Sequence, residues 1–75
     1  MPFIEMTGET LERILAADEL HHASLETAHV TPQCIVRVNL QGDIEVRRAK
    51  GWDVIGGLLG DFRERVTKET GLDWA

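Results

Sequence analysis

Along the last third of the chain, apolar residues recur at helical spacing. Ile55, Leu58, Leu59, Phe62 and Val66 form one stripe, and that spacing predicts a helix from about Asp53 to Thr70. Asp53 is placed to cap its start. Asp61 with Arg65, and Glu64 with Lys68, are acid-before-base pairs one turn apart. Gly71 stands where a left-handed C-terminal cap is expected, and Leu72 and Trp74 follow as apolar anchors that can fold back. Gly56, Gly57 and Gly60 interrupt the pattern. In a helix each costs about 0.8–1 kcal/mol relative to alanine, so the three together cost roughly 2–3 kcal/mol. A short chain tolerates that only where a neighbour approaches the bare backbone closely. With Ile55 at the centre of the stripe, Gly56 and Gly60 fall at about 100° and 140° around the helix and Gly57 at about 200°. Gly56 and Gly60 thus flank the stripe as a groove.

The N-terminal third predicts a short extended start at Phe3–Met6 followed by a helix. Thr7 is a suitable N-cap, because its hydroxyl can accept an orphan N–H of the first turn. Met6 and Leu11 then have the spacing of a hydrophobic staple, and Leu11, Ile14 and Leu15 form the apolar face. Beyond Ala17 the periodicity does not decide between continuation and a second short helix from Asp18. Thr27 to Gln33 reads as a connector, with Pro32 disfavouring helical geometry at Thr31.

The clearest β pattern lies in the middle. Cys34, Val36 and Val38 alternate with Ile35, Arg37 and Asn39, and Ile44 and Val46 alternate with Asp43, Glu45 and Arg47. A two-residue Gln41-Gly42 turn would set Val38 opposite Glu45 and mix the two faces. A three-residue loop, Leu40-Gln41-Gly42, pairs Val38 with Ile44, Arg37 with Glu45 and Val36 with Val46, and puts Gly42 at the left-handed position of a bulged turn. Face matching selects the second register.

These elements give an α+β class: helix, connector, β-hairpin, helix, with a short strand possible at the N-terminus. The 75 residues form one small domain, 1–75. A chain this size buries only about 60% of its unfolded surface, so help from a partner is expected. Composition is that of a globular protein, 43% hydrophobic and 28% charged. Cys34, the single cysteine, cannot form an internal disulfide. With no signal-peptide pattern and no run of ~18 apolar residues, a cytoplasmic protein without a membrane span is expected. The net charge of −5 disfavours general nucleic-acid binding. Only residues 33–50, with Arg37, Arg47, Arg48 and Lys50, carry a basic excess.

Several residues invite a functional reading. The Gly56, Gly57 and Gly60 strip reads first as close packing within the chain and next as a self-association surface. A phosphate cradle ranks last, since no Gly-Lys-Ser/Thr follows. Trp52 and Trp74 bracket the predicted helix and close the core at its ends, or anchor an interface together with Ile35. His22, Glu26 and His29 are the nearest approach to a metal-ligand set, but no zinc-site spacing is present and no metal is expected. The same holds for His21. Cys34 reads as a small inward-facing hydrophobe. Arg37, Arg47, Arg48 and Lys50 could meet phosphate, yet Arg37 already faces Glu45 and no aromatic is expected on that face to stack a base. No paired carboxylates, nucleophile elbow or triad order appears, so no catalytic activity and no cofactor is expected. The reading is a small interaction or accessory module, expected to be a homodimer, with another protein as the other possible partner. A nucleic-acid-associated regulator and a metal- or ligand-binding protein are the alternatives.

Overall fold

A computed structural model describes residues 3–15 and 29–74. The chain is α+β, as the periodicities indicate. The described elements are β1 (Phe3–Thr7), α1 (Gly8–Ile14), β2 (Ile35–Asn39), β3 (Asp43–Arg48), β4 (Gly51–Gly57) and α2 (Phe62–Thr70). The four strands form one antiparallel sheet in the order β1-β2-β3-β4. The N-terminal strand is present, paired along β2 with Ile4 facing Val38.

The hairpin register is the one that face matching selects. Val36 faces Val46, Arg37 faces Glu45 and Val38 faces Ile44. The Gly42 N–H donates to the Asn39 carbonyl at 3.0 Å, and Gly42 has φ +90°. The Asn39 side-chain oxygen accepts from the N–H groups of Gln41 and Asp43 and fastens the loop.

The predicted helix from Asp53 is half strand. Residues Gly51–Gly57 are β4, joined to β3 by a turn at Ala49 and Lys50, and the helix begins only at Phe62. The stripe is thereby shared between two elements: Ile55 lies in the strand, Leu58 in the connection and Val66 in the helix. Leu59 is 65% exposed and belongs to no core. Strand pairing is available here because β3 has an open edge, and ending the strand at Gly57 leaves Gly60 free to take the positive φ that suits glycine. The pairing is not regular. Ile44 faces Gly56 while Glu45 faces Val54, so Ile55 is the extra residue of a β-bulge. Asp61 replaces Asp53 at the helix start, where its carboxylate binds Arg65 rather than a backbone N–H. Gly71 ends α2 in the left-handed region, as expected, its N–H donating to Thr67 O at 2.8 Å.

The core lies between the sheet and the helices. From the sheet come Ile4, Met6, Val36, Val38, Ile44 and Val46; Leu11 and Ile14 come from α1 and Val66 from α2. The staple pair Met6 and Leu11 is buried, and the Thr7 hydroxyl accepts from Thr10 N–H at 3.2 Å. The two preceding N–H groups of α1 donate to the chain entering β2, Gly8 to Cys34 O at 2.8 Å and Glu9 to Pro32 O at 3.2 Å. The first turn of α1 thus has its orphan donors satisfied. A side chain on Gly8 would run into the Thr31 carbonyl oxygen, so this close main-chain approach requires glycine.

Arg65 ties the helical layer together. Its guanidinium donates to Ile14 O at 2.6 Å, to Leu59 O at 2.7 Å and to the Asp61 carboxylate at 3.1 Å. It joins the end of α1 to the connection that leads from β4. Arg13 adds a second cross-helix link, to Glu69 at 3.2 Å.

Two substitutions test these packing rules. Gly8→Ala should cost about 1–3 kcal/mol, the usual range for overpacking a tight contact. Gly42→Val should cost more than about 1 kcal/mol, through a β-branched residue at positive φ; its Cβ would also stand 2.8 Å from Leu58 O. Urea unfolding of both variants measures these losses. Wild-type stability in either would refute the corresponding contact.

Candidate interaction surface

Both described helices pack on one face of the sheet. By strand alternation, the other face carries Phe3 and Glu5 from β1, Ile35, Arg37 and Asn39 from β2, and Asp43, Glu45 and Arg47 from β3. From β4 come Trp52, opposite Arg47, and Val54, opposite Glu45.

Arg37 organises the middle of this face. Its guanidinium lies 3.8 Å from the Phe3 ring centre and 4.1 Å from that of Trp52. Its Nε and Nη2 donate to Glu45 Oε1 at 3.3 and 2.9 Å. Both side chains are mostly covered, 22% and 13% exposed. A cation between two aromatic rings gains about 0.5–2 kcal/mol per ring depending on desolvation, and the carboxylate neutralises its charge. The result is a stacked, charge-balanced array on a sheet surface that no other described element covers. Beside it stand Ile35, 37% exposed, and Val54, 64% exposed.

The residues singled out in the sequence divide among three places. Ile35, Trp52, Arg37 and Arg47 share the open face. Gly56 and Gly57 belong to β4, the outer strand next to it, and not to a helix. Gly60 is in the connection to α2 at φ +65°, and nothing stands within 4 Å of where its side chain would project. Its requirement is one of backbone conformation, not of close approach, so the three glycines do not form a helical groove. Trp74 is on the helical side, where its indole N–H donates to Val38 O at 2.9 Å and its ring meets Phe62 edge-on at 5.9 Å. It closes the core there.

The basic residues do not assemble. Arg48 has the alternation of the helix-covered face, donates to His29 O at 3.4 Å and pairs with Asp53 at 3.7 Å. Lys50 is exposed in the β3–β4 turn. His29 is exposed at φ +58°; His21, His22 and Glu26 lie outside the described residues. Among the described residues no three His, Cys, Asp or Glu side chains are grouped to hold a metal ion.

The expectation that the hairpin face has no aromatic neighbour is overturned. Phe3 and Trp52 supply rings from the two flanking strands, and neither strand's pairing partner could be read locally. The alternation of Phe3 and Glu5 with Ile4 and Met6 was the available signal for β1. For Trp52 it was the β-branched pair Val54-Ile55.

Cys34 immediately precedes β2, partly buried against the core. The Thr31 hydroxyl lies 3.4 Å from its sulfur, and the Thr31 N–H donates to the sulfur at 3.3 Å. These hydrogen bonds, side chain first, hold the thiol below its ordinary pKa; Arg48 adds a smaller pull in the same direction and burial opposes it. No family model, curated protein or solved structure matches the chain.

Thr31→Val removes the largest of these influences. Alkylation of Cys34 in the folded variant should therefore reach half its maximal rate at higher pH than in the wild type. An unchanged profile, measured by iodoacetamide labelling and mass spectrometry, would show that the Thr31 hydroxyl does not hold the thiolate.

Proposed function

We propose that this protein is a small interaction module that acts as a homodimer through the open face of its sheet. One observation carries the reading: Ile35 and Val54 are exposed, and Trp52 is half-buried, on the face opposite the described helices. A sheet surface that exposes apolar side chains gains from being covered. A second copy is a suitable cover, because closed two-fold pairs are the commonest assemblies and use one patch twice. The charges on the face favour no strongly charged partner. Arg37 is matched by Glu45, and the exposed Arg47 and Glu5 have opposite signs.

The size of the face sets the strength. Four strands of about five residues span roughly 17 by 19 Å, or about 300 Å² in projection. That is below the ~800 Å² per partner of a standard interface, so association in the micromolar range is expected. A nucleic-acid role draws support from Phe3 and Trp52, but their stacking partner is already Arg37 and its charge is met by Glu45.

Light scattering at ~100 µM, with melting followed at several concentrations, tests the dimer. The expected result is a mass of two chains and a melting temperature that rises with concentration. Val54→Asp should give the mass of one chain while remaining folded. A wild-type monomer whose melting temperature is independent of concentration would overturn the reading.

A further inference from the structure

The opposite edge of the sheet carries a second surface with a different occupant. β1 is an outer strand, with β2 along its inner edge. The Gly8 N–H donates to Cys34 O at 2.8 Å, continuing the β1–β2 register one step beyond Thr7 and Ile35. In an antiparallel pair, residues that exchange main-chain hydrogen bonds alternate with residues that do not. Gly8, Met6 and Ile4 therefore direct their N–H and C=O groups at β2. Phe3 and Glu5 direct theirs outward. Among the described residues, no other segment pairs with that outer edge.

A cleft of about 490 Å³ lies at the same place, lined by Phe3, Ile4 and Glu5 and by Leu72, Asp73 and Trp74 of the C-terminal segment. Phe3 and Glu5 point to one face of the sheet and Ile4 to the other, so the cleft straddles the strand edge. Its far wall is fixed, because Trp74 is held by Val38 O and Phe62. Phe3, Ile4, Leu72 and Trp74 give the walls their apolar surface, and the Glu5 carboxylate borders them. Arg37 also reaches the cleft, with its charge met by Glu45.

We infer that the β1 edge is a binding site for an extended, basic peptide segment of another protein, which adds to the sheet as a fifth strand. Its main chain pairs with the outward N–H and C=O groups of Phe3 and Glu5. Alternate side chains then enter the cleft. A lysine or arginine there lays its aliphatic stem on Phe3, Leu72 and Trp74 and brings its charge to Glu5. A charge of this sign suits a chain of net charge −5. The site borders the proposed dimer face at Phe3, Glu5 and Arg37 but uses the edge of β1, one strand or more from Ile35 and Val54, and does not depend on the dimer.

Selection from a displayed library of random peptides of about eight residues, followed by anisotropy titration of the selected sequences, tests the site. Selected peptides should alternate lysine or arginine with large apolar residues. N-methylation of the amides on one edge of the peptide should weaken binding by about tenfold or more, because it removes main-chain donors. Glu5→Lys should weaken it by about tenfold through like-charge opposition, and Val54→Asp should leave it unchanged. Circular dichroism establishes that each variant is folded; if Glu5→Lys does not fold, the methylated peptides with wild-type protein decide the question. The inference fails if no peptide binds more tightly than ~1 mM, if the selected peptides are acidic, or if binding is indifferent to methylation. It also fails if Glu5→Lys folds and binds as well as wild type.

Discussion

The register of β2 against β3 is the constraint on which the rest of the molecule depends. With Val36 facing Val46 and Val38 facing Ile44, four β-branched side chains fall on one face and are fully buried. The same pairing puts Arg37 against Glu45 on the other. A slip of one residue would send the valines outward and bring the ion pair into the core, where an imperfectly matched charge costs several kcal/mol. The turn at Gly42 holds this register at one end, and β1 and β4 inherit it on either side. The molecule consequently has one face that the helices cover and one organised around a stacked arginine.

The parts of this arrangement that were legible in the sequence are those governed by neighbours close along the chain. Thr7 caps the helix it precedes, Met6 packs with Leu11 four residues past that cap, Gly42 sits three residues after Asn39, and Gly71 follows the helix it ends. Each has a local geometric signal. β4 was not legible, because Ile55, Leu58 and Leu59 satisfy helical spacing by coincidence while serving a bulged strand and a connection. Two glycines in a strand and one at a positive φ resemble three in a helix when only spacing is read. Gly8 was hidden for the opposite reason. The group that approaches it, the Thr31 carbonyl, is distant along the chain, and no pattern near Gly8 announces it.

The candidate surface was legible only in pieces. Ile35, Trp52, Arg37 and Glu45 were visible as individual residues, and the Arg37–Glu45 pair followed from the hairpin. Phe3 could join them only once β1 was known to lie along β2. Trp52 could reach Arg37 only once residues 51–57 were known to be a strand. Side-chain chemistry at a sheet surface depends on which strands are adjacent, and strand adjacency is the non-local part of a fold. Trp74, by contrast, was read as an apolar anchor folding back from the end of α2, and it does so.

The division of the two aromatic indoles between the faces has an optical consequence. Trp52 and Trp74 are the chain's two tryptophans, and their surroundings have nothing in common. Trp52 lies over a guanidinium on the open face, whereas Trp74 donates to a main-chain carbonyl and rests on Phe62. Replacing either with phenylalanine leaves a protein with a single intrinsic fluorophore. The Trp52 protein reports the polarity of the outer surface, including whatever comes to rest on it. The Trp74 protein reports the integrity of the interior as the chain unfolds. One small molecule thus carries separate emission signals for surface occupancy and for folding, without an added label.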